Sequence, residues 1–193
     1  MPAAINHRRG TGEILQALLA AVTAIVLPNG QWGSAAPNLS QAFDRAEIFD
    51  SEQLVEAFRY LLVSEQKVIV LVPMDERFNT VIDKRKLVVT RELPVLALIS
   101  DRVLGDRKTA LLGNADTPGA LALTELVLSA VTGLLLANQA NPPLSGVLVE
   151  PNSSSVISVK DMESDAPGRV CIGLLLECKG GYLEAQMPAG PVF

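Results

Sequence analysis

Histidine is almost missing from this chain, with His7 the only one in 193 residues. That scarcity excludes Ser-His-Asp and Cys-His catalysis and histidine-rich zinc sites together, because each needs imidazole as base or ligand. His7 itself stands beside Arg8 and Arg9 near the N-terminus and reads as surface decoration. Cysteine is nearly as rare. Cys171 and Cys178 lie seven residues apart in one apolar, strand-like run. An odd spacing on a strand sends two side chains to opposite faces, so these two are expected as reduced core thiols unable to bridge each other. Aromatics make up only 4% of the residues, so the core is built from Leu, Val, Ile and Ala. Clustered positive charge is also lacking. The net charge is −5, the pI is near 4.9, and basic residues alternate with acids, as in Asp83–Lys86 and Asp101–Lys108. A protein that neutralises phosphates presents a basic stripe, so direct DNA binding is not expected.

The known phosphate-binding and metal-binding patterns are missing too. Gly10-Thr11-Gly12 precedes a helix but follows no strand, and it has neither a third glycine nor a Walker lysine. Asp161, Glu163 and Asp165 alternate after a strand, yet their spacing does not fit a calcium-binding loop, and they read as a solvated turn. No pair of carboxylates stands out as general acid and base. No catalytic residue, cofactor or metal is expected. Residues 118–137 are apolar enough to raise the question of a membrane span. Glu125, Ser129 and Thr132 interrupt them, and a buried helix is the better reading. Ile14–Leu27 is short and amphipathic, without the form of a signal peptide.

What is present is enough apolar residue, 49%, for one domain of this length. Ile14, Leu15, Leu18, Leu19, Val22, Ile25 and Val26 form the stripe of an amphipathic helix over 12–26, stopped by Pro28-Asn29-Gly30. A second helix is expected from Asp50 or Ser51, with Gln53 placed to complete a capping box, and with Leu54, Val55, Phe58, Leu61 and Leu62 as its stripe. Val68–Val72 reads as a strand covered on both faces. Residues 74–85 read as a charged connection, and 86–99 as a long strand in which Pro94 marks a bulge, an edge or a break. Segments 28–49 and 101–116 read as extended loops, and 1–11 and 187–193 as flexible tails. Thr117-Pro118 predicts a helix start, with the helix running to about Ala137. The strip Glu125, Ser129, Thr132 is expected at its surface. Strands are expected at 146–150, at 155–161, and from 168 to 178 or as far as Gln186. Strands grouped in runs favour an α+β domain, a mostly antiparallel sheet with two to three helices packed on one face.

With no reaction in view, the chain reads as one that works by binding other proteins. Trp32, alone in a Gly/Ser/Pro/Asn loop, is either an interface anchor or a lid over the domain's own core.

The order of elements resembles the tail-terminator family of long-tailed bacteriophages, the group of the lambda minor tail protein U. It is carried by the helix Ile14–Val26, the helix Leu54–Leu62 leading into strand Val68–Val72, the long strand Lys86–Ile99, the helix Pro118–Ala137 and the strand Gly168–Glu177. This is a likeness of layout over most of the chain. The resemblance implies a non-enzymatic virion component, made in the host cytoplasm, that forms a hexameric ring. Such a ring caps the tail tube and joins it to a head-side connector or stopper protein. Its partners are then other copies of itself, the tail-tube protein and that connector, with no membrane and no sequence-specific nucleic acid. Ring contacts are head-to-tail and need two different patches. Under this reading the mixed-sign segments 75–86 and 101–108 supply them, and Trp32, Arg77, Lys84, Arg85, Arg102, Arg107 and Phe193 are the expected interface residues. Replacing Arg77, Lys84 and Arg85 together is then expected to weaken assembly. Three other readings stay open at this point: another neck protein such as a head–tail connector or stopper, a cytosolic dimeric domain that binds a small ligand, and a carboxylate-metal enzyme.

Overall fold

The run Val68–Val72 is apolar at every position, which suits only a strand with no wet face. In the computed structural model it forms β2, Val68–Pro73, with Val68 to Val72 all fully buried. The structure describes residues 11–28, 41–63, 66–83, 86–101, 106–136, 147–157 and 170–186, and within these only the backbone is defined at 62–63, 81–83, 86–89, 135 and 181–186. β2 lies second in a seven-stranded sheet ordered β1-β2-β4-β7-β6-β5, with β3 also pairing with β4. The remaining strands are β1 (Arg45–Ile48), β3 (Arg77–Asp83), β4 (Lys86–Ser100), β5 (Leu134–Leu136), β6 (Val147–Ile157) and β7 (Cys171–Gln186). Only β1 and β2 run parallel, so the fold is α+β with a mostly antiparallel sheet.

Strand alternation sorts the side chains onto two faces. On the first face Ile69, Leu71, Val95, Ala97, Ile99, Leu174, Leu176 and Cys178 pack against α1 (Thr11–Thr23) and α4 (Gly119–Val131). A satellite cluster of Ala110, Ala120, Val170 and Ile172 adds α3 (Arg107–Leu112) to the same face. On the second face Val68, Val70, Val72, Leu98 and Cys171 pack against Ala57 and Leu61 of α2 (Leu54–Val63). Three helices on one face agree with the sequence reading; α2, on the other, is what closes β2 off from water on both sides. Cys171 and Cys178 fall in different clusters on opposite faces, as their odd spacing requires.

Helix α1 buries Ile14, Leu15, Leu18 and Val22 from the expected stripe. Asp50 accepts from the Gln53 N–H at 2.9 Å, which is the Asp50 half of the expected capping box, and opens a 3-10 turn that leads into α2. Val55 departs from the expected stripe and is exposed, because Ala57 and Leu61 set the buried side of this helix.

Several expectations need correction. The charged connection 74–85 is β3 for seven of its residues, continuing the line of β2 down the same side of β4. The charged ends Arg77 and Asp83 hid a β-prone centre, Phe78–Ile82. Segment 28–49 contains buried Ala42 and Phe43 and strand β1. Segment 101–116 contains α3, begun by Asp106, whose carboxylate accepts from the Thr109 N–H at 2.8 Å. Six residues are too few for a periodic stripe to show in sequence. The helix from Pro118 stops at Val131, not Ala137. Gly133 turns the chain at φ 71°, and Leu134–Leu136 pairs with β6. The two short strands expected at 146–150 and 155–161 are one strand, β6, bent by a bulge between Pro151 and Ser153. Pro94 neither ends nor edges β4. Its carbonyl accepts from the Met74 N–H, so the position that lacks a donor faces the gap between β2 and β3, where none is needed.

The cap of α4 also differs from expectation. Thr117 does not cap the helix with its own oxygen; its hydroxyl donates to the Asp101 carboxylate at 2.6 Å. The same carboxylate oxygen accepts from the Gly119 N–H at 2.8 Å, so a buried acid from the end of β4 caps a helix 18 residues further on. Beside it Gly113 and Gly119, at φ 78° and 74°, pass so close that a Cβ on either would stand 2.3 Å from the other segment's backbone. Only glycine fits both the space and the left-handed backbone at these positions.

Candidate interaction surface

Below Leu93 the sheet leaves its helices behind. β3, the first half of β4 and the last half of β7 form a three-stranded arm, in which Arg77↔Glu92 to Asp83↔Lys86 pair on one side and Lys86↔Gln186 to Arg91↔Gly180 on the other. Arg77, Phe78, Asn79 and Thr80 are all exposed, and Phe78 shows 55% of its surface. None of these four, nor Arg91 or Glu92, belongs to a core cluster.

The root of the arm is held by charge on both faces. On the α1 face Arg91 Nε donates to Glu76, and Arg91 Nη2 donates to Thr11 Oγ1 at 3.1 Å. Thr11 Oγ1 in turn donates to Glu76 Oε2 at 3.2 Å, so the first residue of α1 is tied to β4 and to the residue just before β3. The Arg91–Glu76 pair is mostly buried, where an ion pair is screened less than on an open surface. On the other face Lys179 Nζ reaches Glu177 at 2.7 Å and Glu150 at 2.9 Å, joining β6 to β7. The Asn152 amide donates to Glu177 as well. Hydrogen bonds from Lys179 and Asn152 hold the Glu177 carboxyl below its usual range, and the positive charge of Arg77 acts in the same direction. The same two carboxylates raise the Lys179 ammonium above the ordinary lysine value.

Above the arm the second face continues past α2 as a half-open surface of Leu96, Leu175, Ile157 and Leu148. The strand edges are open in two offset places. Among the described residues no strand pairs with the outer side of β3, and β5 covers β6 only from Val147 to Val149. Asn152–Val156 is exposed throughout.

The residues singled out from the sequence scatter over this frame. Arg77 is exposed at the head of β3, within the field of Glu177. Arg107 is exposed at the start of α3, beyond the opposite end of β4, so the structure does not bring the two together. Trp32, Lys84, Arg85, Arg102 and Phe193 lie outside the described residues, as do His7, Asp161, Glu163 and Asp165. Within 101–108 both acids serve the fold: Asp101 is 1% exposed and caps α4, while Asp106 caps α3. Glu125, Ser129 and Thr132 are exposed on α4, as the strip was read.

Phe78, Val156, Glu177 and Lys179 are the surface features that the sequence reading passed over. Phe78 sat among charges and Val156 behind three serines. The signal in both cases was an uncharged five-residue run, Phe78–Ile82 and Ser153–Ile157, of strand length. Among the described residues no helix is long and apolar enough to cross a membrane, and no group of three or more metal-ligating side chains converges. No protein-family model matches this chain, and no curated protein matches it in sequence.

Proposed function

We propose that this chain is a structural virion protein of the head–tail junction, a tail terminator whose copies form a ring that caps the tail tube and joins it to the head connector. The observation that carries this reading is the three-stranded arm, which leaves the helix-covered body and exposes β-prone residues that a monomer normally blunts. An arm at one end and an open strand edge at the other supply two different patches, the requirement of a head-to-tail ring. The layout of helices and strands that resembles the tail-terminator family supports the same assignment. Catalysis has no part in it: binding, register and closure of the ring are the whole activity.

The test is mass by light scattering after gel filtration, with negative-stain images, for the chain alone and mixed with tail tubes. The expected result is a ring of roughly 120 kDa, six copies of the 20.5 kDa chain, free or seated on tube ends. A chain that stays a compact dimer and leaves tube ends bare overturns the reading.

A further inference from the structure

The two open edges fit each other. Neighbouring strands fix their directions: β4 and β6 run one way along the sheet, β3 and β7 the other. A second copy placed beside the first in the same orientation, shifted along the strands, therefore brings its β3 antiparallel to the first copy's β6. The opposite sides of the sheet are used, so the contact repeats from copy to copy without pairing with itself.

Side-chain alternation then chooses the register, since the helix-bearing face must continue from copy to copy. Phe78 stands opposite Arg91 and Val156 opposite Ile172, which places both on the face that carries α1, α3 and α4. Among the described residues, these two are the large hydrophobics on strands that stand exposed, at 55% and 48%. One antiparallel register sets Phe78 directly opposite Val156, Thr80 opposite Ser154 and Asn79 opposite Ser155, and matches the faces at each position. A cross-strand pair of an aromatic and a β-branched side chain is among the favourable ones. The other edges are blunted. β1 is four residues long and carries Arg45 and Glu47. The arm part of β7 carries Glu184 and runs in the same direction as β3, so that pairing would be parallel.

We propose that copies of this chain join by strand addition, β3 of one copy pairing antiparallel with Asn152–Ile157 of β6 in the next, in the register that sets Phe78 against Val156. This rests on the reading of the chain as a ring subunit and identifies the two patches that reading requires.

The experiment is oxidative cross-linking of the full chain with copper phenanthroline, using Thr80→Cys with Ser154→Cys in one chain and each substitution alone. The two native cysteines are buried and serve as the background in every sample. The expected result is a ladder of multimers on a non-reducing gel from the double variant and none from either single variant. Phe78→Lys and Val156→Glu, both at exposed positions, are each expected to lower the assembled mass to 20.5 kDa at unchanged secondary structure, and together to restore assembly. Dimers from Thr80→Cys alone or Ser154→Cys alone overturn the proposal in favour of a two-fold contact. Rings that form without the ladder, or that survive both charged variants, overturn the pairing and leave the ring reading standing. A chain that neither assembles nor cross-links, alone or with tail tubes, overturns both.

Discussion

At the scale of single residues, the strongest constraint is a buried acid. Asp101 receives the Thr117 hydroxyl and the Gly119 N–H, and both donors are buried with it. Removing the carboxylate strands two donors away from water, at about 3 kcal/mol in total. Asp101→Ala is therefore expected to lower the unfolding free energy by about that amount in urea titrations, with Asp101→Asn recovering most of it, because a single oxygen accepts both bonds. Equal loss in both variants would show that charge, and not the acceptor, holds the start of α4. The cysteines make a second case. Burial pushes the Cys178 thiol up to about 12, and Cys171 is 2% exposed on the other face. A thiol reacts as thiolate, so neither is expected to label with a thiol reagent near about pH 8 until denaturant is added, when both label at once. Rapid labelling of the native chain would mean that the sheet opens locally at β7.

At the scale of elements, the arm depends on the charges at its root. Glu177 is held low chiefly by Lys179, so its contribution to stability is complete above the ordinary glutamate value of about 4.3 and is lost as pH falls through its lower folded value. Lys179 is shifted the other way, so its share is complete below the ordinary lysine value of about 10.4 and is lost only as pH rises beyond it. The difference in urea midpoint between the natural chain and Lys179→Met is then expected to be constant near neutral pH and to close as pH falls below the ordinary glutamate value of about 4.3. A gap unchanged by acid would assign the loss to the packing of the lysine stem. The elements that read correctly from sequence were those with a clear period or a chemical stop. The stripe Ile14–Val22, the Asp50 cap and the unbroken run Val68–Val72 each state their partner surface locally. β3 and α3 did not, since the charged ends of β3 hid its short β-prone centre and the six residues of α3 make fewer than two helical turns, too few for a stripe to repeat.

At the scale of the whole molecule, the proposed function depends on edges, and edges are properties of the assembled sheet. The serines of β6 and the phenylalanine of β3 are unremarkable in sequence, yet pairing puts both on open sides with matching direction and face. Most of the expected interface residues were chosen by charge, and the two that the structure describes, Arg77 and Arg107, lie at different ends of β4. Composition and periodicity by themselves determined the α+β class, the buried strands and the separation of the two thiols, because each follows from residue type and spacing alone. Tertiary structure alone decided that Asp101 is a cap, that α2 lies on the opposite face from the other helices and that, among the described residues, β3 and residues 152–156 of β6 have no strand on their outer side. Those depend on contacts between residues far apart in the chain, where local spacing carries no information about the neighbour.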